Sequence, residues 1–181
     1  TSFHPPGERL NGENPGTVCG GKGANQAIAS KRLGGKVTFM TKLGNDSYGK
    51  SYHHYLIKMG LQQKYLLKDK MLPTGIALIE LVPKGENRII VSSGANGSLS
   101  LKDLKRLTPL WKEIKVFVTQ FEIPIETVKM GLKMAKKHGA ITLLNPSPPI
   151  QLPSNILSLV DFIVPNEWEA QSLTGIKWKG D

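Results

Sequence analysis

Residues 116–145 read VFVTQFEIPIETVKMGLKMAKKHGAITLLN. The segment divides into an apolar run (VFVTQ), a stretch with helical spacing (PIETVKMGLKMAKKHG) and a second apolar run (AITLLN). Pro124 stands near the first turn of that helix and Gly139 just past its end, the positions these residues tolerate best. Apolar strand, helix and apolar strand in succession predict a βαβ unit with parallel strands. Lys133, Lys136 and Lys137 then fall on the outer side of the helix.

The alternation continues in both directions. Downstream, DFIVPN reads as a strand and EWEAQSLTG as a helix ending at Gly175. Upstream, SLSLKDLKRLTPLW reads as one helix capped by Ser100, with Lys102, Lys105 and Arg106 facing outward. Nearer the start, residues 23–33 form a helix ended by Gly34 and Gly35. KVTFMTKLG follows as a strand, and NDSYGKSYHHYLIKMG as a helix capped by Asn45 or Asp46 and closed by Gly60. QKYLLK reads as a short strand. One segment departs from the pattern: TGIALIELVPKGENRIIVSSGAN holds two β-rich runs around the turn PKGEN, with no helix between them. The expected fold is therefore α/β, a parallel sheet with helices on both faces and a small antiparallel β flap.

Composition narrows the function classes. The 181 residues are 39% hydrophobic with a formal net charge of +10. No apolar run reaches the ~18 residues of a membrane span, and the polar start TSFHPPGERLNG is no signal peptide. The absence of an initiator Met suggests that an upstream piece is missing. A single cysteine, Cys19, excludes an intrachain disulfide and fits a reducing compartment; we expect it to be a small buried residue under a loop. The lysines are spread along helices with no interleaved aromatics, which favours a solvated basic face over nucleic-acid binding.

Open α/β sheets bind ligands beyond the carboxyl ends of their strands. Glu122 follows VFVTQF, Asn145 follows ITLL, and Asn166 follows DFIVP with Glu169 one turn later. A helix N-cap explains Asn166 about as well as a ligand does. CGGKGANQ places Gly20, Gly21, Lys22 and Gly23 ahead of a helix. It lacks the Ser or Thr of a Walker A loop and the spacing of a dinucleotide fingerprint. A glycine turn at a helix N-terminus suits an oxygen-rich or anionic ligand, with Asn25 within the first turn; a tight turn packed on a neighbouring strand fits equally well. Asp46, Asp103 and Asp161 stand at a helix start, on a helix face and before a strand, which are structural places. His53 and His54 are adjacent on a helix and cannot face one ligand. His4 and His138 lie in a loop and near a helix end.

GGKGANQAIASKRLGGKVTFMTKLGNDSYG, with Gly20, Gly21, Gly23, Asn25, Ala27, Gly34 and Gly44 in register, resembles the N-terminal signature of the PfkB carbohydrate kinases. TGIALIELVPKGENRIIVSSGAN, QFE, LLNPSPP and PNEWEAQSLTG resemble later motifs of that family in the right order, and its ribose-phosphorylating members match best. The resemblance implies ATP-dependent phosphorylation of D-ribose at O5 to give ribose 5-phosphate. It implies that Gly20, Gly21, Lys22, Gly23, Asn25 and Glu122 bind the sugar, that Asn166 contacts nucleotide phosphates, and that Glu169 organises Mg²⁺ through water. Asn145 would support the site, and a monovalent cation (K⁺) is expected for the complete enzyme.

The resemblance further implies a single partial domain over 1–181, with a β lid at approximately 62–96 and part of 5–19 that pairs subunits into a homodimer. Ribose or a related sugar is the expected partner, without nucleic acid or membrane, in the cytoplasm or also the nucleus. The family's opening sugar-gripping strand and its Gly-Ala-Gly-Asp motif, which carries the catalytic base, have no counterpart here. No catalytic residue is therefore identified, and the isolated chain is expected to be marginally stable, oligomeric or completed by another segment. A catalytically incomplete fragment or isoform, acting as a sugar-binding or dimerising partner, is the alternative.

Overall fold

A computed structural model describes residues 16–81 and 87–177. In chain order the elements are α1 (Lys22–Arg32), β1 (Thr41–Leu43), α2 (Ser47–Lys58), β2 (Leu66–Lys68), β3 (Ile76–Leu81), β4 (Asn87–Ser92), α3 (Leu101–Leu104), β5 (Val116–Thr119), α4 (Ile125–Lys137), β6 (Ile141–Leu144), α5 (Ser154–Leu157), β7 (Phe162–Ile163) and α6 (Glu167–Thr174). Strands β5, β6 and β7 form a parallel sheet in that order, with Val116 opposite Ile141 and Leu143 opposite Phe162. Strands β1 and β2 form a second parallel pair, and β3 and β4 an antiparallel hairpin with Leu78 opposite Ile90.

The βαβ reading of 116–145 holds. Helix α4 buries Thr127, Val128, Gly131, Leu132 and Ala135, the three-to-four residue spacing of a single face. Gly131 is small because Phe117 packs against it: an added Cβ would lie 2.6 Å from the ring. Val128, Leu132, Leu144 and Ile156 form one core cluster, and Phe117 links it to a second around Trp111. Fully burying each such side chain stabilises the fold by roughly 1.5–3 kcal/mol. A third cluster joins α1, β1 and α2 through Ala24, Ala27, Ile28, Leu43 and Leu56. Lys133, Lys136 and Lys137 are exposed as expected, as are Lys102, Lys105 and Arg106.

Several expectations need correction. The expected cover of helices is seen, among the described residues, on one face of the β5–β6–β7 sheet: Val116 and Val118 are exposed, with Ile141 and Phe162 on the same side. Among the described residues, α4 and α5 pack on the opposite side, against Phe117 and Leu144. The expected helix over SLSLKDLKRLTPLW runs as α-helix only to Leu104 and continues as 3₁₀ turns over Lys105–Leu110, where Pro109 cannot donate a helical hydrogen bond. QKYLLK divides into a 3₁₀ turn (Gln63–Tyr65) and β2. Only Thr41–Leu43 of KVTFMTKLG is strand, pairing with the equally short β2. Cys19 is exposed, because residues 16–19 run along the surface without regular structure. The antiparallel hairpin is narrower than 62–96: Leu66–Lys68 belongs to the parallel pair with β1. Residues 83–86 of the turn PKGEN, residues 5–15 and His4 lie outside the described residues.

The hairpin is rooted by a compact polar clasp. Asp46 caps α2 by accepting from Gly49 N at 2.7 Å, and it also accepts from Thr74 N at 2.6 Å and Thr74 Oγ1 at 2.8 Å. Gly44 N donates to Thr74 Oγ1 at 3.0 Å. Helix α2 and the entry to β3 are thereby held at one point.

Candidate functional site

The glycine turn and Glu122 meet although 100 residues separate them in sequence: Lys22 N donates to Glu122 Oε2 at 2.9 Å. Gly21 is the N-cap of α1 with φ of 95°, a left-handed conformation that glycine adopts without steric cost. An added Cβ there would sit 3.6 Å from the same carboxylate oxygen. The carboxylate therefore satisfies one of the unpaired N–H groups at the helix start, where the helix dipole favours negative charge. It is half-buried, leaving acceptor capacity for a ligand hydroxyl. Asn25 is exposed one turn into α1, and the Lys22 side chain is half-buried. Gly23 has a packing reason to lack a side chain: a Cβ would lie 2.5 Å from Gln120 Nε2 and 3.2 Å from the Phe39 ring.

A second polar group lies at the ends of β6 and β7. Asn166 caps α6 by accepting from Glu169 N at 2.8 Å, and Glu169 Oε2 accepts from Asn166 N at 2.9 Å, a reciprocal capping box. Asn145 Nδ2 donates to Glu169 Oε2 at 3.2 Å and to Val164 O at 2.9 Å, tying the two strand ends together. Glu169 is only 3% exposed, so these donors fix its carboxylate in place. Asn166 is exposed. Because β5 and β7 flank β6, Asn166 at the end of β7 stands two strand spacings, about 10 Å, from the end of β5 that leads to Glu122, and Asn145 at the end of β6 stands one spacing away.

Among the described residues no group of three or more His, Cys, Asp or Glu could hold a metal ion. Glu169 with its two donors does not make a first coordination shell, so direct Mg²⁺ ligation does not fit this donor set.

Four contributors escaped the sequence reading. Tyr52 Oη donates to Gly20 O from across the turn. Asn96 Nδ2 donates to Glu122 O at 3.0 Å while its Oδ1 accepts from Thr41 Oγ1 at 3.2 Å, linking the end of the hairpin to the carboxylate's backbone. Gln120 is buried against Gly23. Thr74 completes the clasp on Asp46. The spacing of Tyr48, Tyr52 and Tyr55, an aromatic stripe along one helix face, was the one sequence signal among these. Asp103 and Asp161 occupy the structural places expected. Asp103 forms a capping box with Ser100 and pairs with Lys42 at 2.7 Å; Asp161 pairs with Lys136 at 2.6 Å and accepts from Thr142 N at 2.9 Å.

The sequence profile of the pfkB family carbohydrate kinases matches residues 1–179. The chain is 38% identical over 175 residues to a ribokinase of Haemophilus influenzae, covering 97% of this chain and 57% of that protein. It is 39% identical over 176 residues to a ribokinase of Staphylococcus aureus, covering 97% and 58%. The structure of an Arabidopsis thaliana ribokinase complexed with ribose and ATP superposes with a TM-score of 0.83 at 30% identity, over 96% of this chain and 57% of that one. The chain thus spans somewhat more than half the length of these three relatives.

Proposed function

The chain belongs to the pfkB family of carbohydrate kinases, and from that premise we propose that it forms the sugar-binding part of a kinase that transfers phosphate from ATP to O5 of D-ribose, giving ribose 5-phosphate. The observation that carries this reading is the Glu122 carboxylate seated on the N-terminus of α1 beside Gly20 and Gly21. A charged acceptor and a row of backbone N–H donors recognise the alternating donors and acceptors of a polyhydroxylated sugar. Glu122, Lys22 and Asn25 bind the hydroxyls, and the glycines let the backbone approach them. Gly23 sets the packing of α1 on Gln120. Asn166, with Glu169 and Asn145 behind it, faces the phosphates of ATP about two strand spacings away. ATP with Mg²⁺ supplies the phosphoryl group, and Glu169 bears on the ion through water only. The exposed apolar hairpin, with Leu78, Ile79, Ile90 and Val91, pairs two copies of the chain.

A second reading, a sugar-binding or dimerising partner without catalysis, is supported by one observation. Asp46, Asp103 and Asp161 are each committed to caps or ion pairs, so none is placed to take the proton of a sugar hydroxyl. Calorimetry with D-ribose and 2-deoxy-D-ribose, followed by an ADP-release assay with ATP, Mg²⁺ and K⁺, separates the readings. Ribose binding lost in Glu122→Ala, by roughly tenfold or more for a charge-assisted hydrogen bond, is the expected result. Binding without ADP release selects the second reading, and no pentose binding refutes the first reading and the sugar-binding form of the second.

A further inference from the structure

Tyr52 lies on α2, outside every motif that carries the family resemblance, yet its hydroxyl reaches the sugar-binding turn. The ring is half-buried and stacks on Tyr55 with centroids 6.1 Å apart. Its Oη donates to Gly20 O across 32 residues. Burial first, then Cys19, Tyr55 and Glu122 nearby, push the phenol well above its ordinary pKa, so it stays a donor throughout the physiological range.

The consequence follows from peptide geometry. In a planar trans peptide the C=O and the following N–H point to opposite sides. Fixing Gly20 O toward Tyr52 therefore turns the Gly21 N–H away from α2. The next N–H, of Lys22, is taken by Glu122. The Gly21 N–H has no acceptor among the described residues. Gly21 itself sits in a region of φ where rotation of the peptide meets little steric resistance. Some external contact must select one orientation, and Tyr52 is the side chain that makes it.

We propose that Tyr52 is a positioning residue for the sugar site: its hydroxyl holds the Gly20–Gly21 peptide so that the Gly21 N–H is presented to a sugar oxygen beside Glu122. The inference rests on the sugar-site reading above. It gives the site a donor whose direction is set by α2, the helix that Asp46 also clasps to the root of the hairpin.

The test compares the wild type with Tyr52→Phe, which keeps the ring and removes the hydroxyl, and with Tyr55→Phe, which removes a neighbouring hydroxyl that does not touch the turn. D-ribose affinity is read by calorimetry and the Gly21 amide by ¹H–¹⁵N NMR. Losing one neutral hydrogen bond predicts a threefold to tenfold weaker ribose Kd, roughly, in Tyr52→Phe. The ribose-induced shift of the Gly21 amide should shrink in that variant, and both readouts should be unchanged in Tyr55→Phe. A merely structural loss would leave the Gly21 shift at saturating ribose intact. Equal affinity and an equal Gly21 shift in Tyr52→Phe overturn the positioning role while leaving the sugar site standing. Equal weakening in both variants also overturns it, since the effect then belongs to α2 packing. The wild-type spectrum is an independent check: if ribose binds without moving the Gly21 amide, the inference fails whatever the variants do. If the wild type binds no pentose, the sugar-site reading fails first and the inference falls with it.

Discussion

Replacing Asp46 tests the clasp that roots the hairpin. Its carboxylate does three things at once: Oδ1 caps α2 through Gly49 N and accepts from Thr74 Oγ1, while Oδ2 accepts from Thr74 N. Asp46→Ala removes the cap, about 1 kcal/mol, and the charge-assisted bonds to Thr74, each about 1.5–3 kcal/mol before water replaces part of the loss. We expect a destabilisation of about 3 kcal/mol. Asp46→Asn is the informative variant, because asparagine is as good a cap as aspartate. Whichever way its amide turns, one backbone N–H, of Gly49 or Thr74, faces another donor. The expected loss is about 1.5–2 kcal/mol, between wild type and Ala.

The pH dependence supplies a second check on the same pair. The Gly49 N–H first, then the Thr74 N–H and hydroxyl, hold the Asp46 carboxyl below its ordinary value. A carboxylate whose folded pKa is depressed contributes stability that is complete above its unfolded pKa, about 3.9, and lost as pH falls through the folded value. Urea unfolding of wild type and Asp46→Asn at pH 7 and at successive steps below pH 4 should therefore show the gap narrowing with acid. Equal stability at neutral pH would refute the clasp, and a gap that persists unchanged in acid would refute the role of the charge.

Further expectations follow from single contacts. Gly49→Ala should destabilise more than a typical surface change, by about 2–4 kcal/mol, because its Cβ would meet Gly44 O at 2.1 Å and Thr74 Oγ1 at 2.6 Å; a melting temperature equal to wild type would contradict it. The Asp161 carboxyl, held down first by Lys136 and then by Thr142, should titrate at about 2 in ¹³C-detected NMR, and Lys136→Met should raise that value. Leu78→Glu, which places a charge opposite Ile90 on the exposed hairpin, should shift sedimentation toward monomer without lowering the midpoint of unfolding. An unchanged sedimentation coefficient at all concentrations would remove the hairpin from any pairing of copies.

The amino-acid sequence by itself determined the α/β class, because period and punctuation are local. Pro124, Gly139 and the three-to-four spacing of Val128, Leu132 and Ala135 specify α4 without reference to anything distant. The same holds for the Asn166 and Glu169 capping box, which lies within four residues. The motif order also placed Glu122, Asn145 and Asn166 at three strand ends, and the parallel β5–β6–β7 order sets them side by side. What tertiary structure decided were the relations between segments far apart in sequence. Nothing local says that Glu122 reaches Lys22 N, that Asn96 holds Glu122 O, or that Tyr52 finds Gly20. Burial followed the same division. Val116 and Val118 alternate with Phe117 along one strand, yet only Phe117 meets α4. Which face of a strand is covered depends on where the helices pack, and a strand's own residues do not encode that.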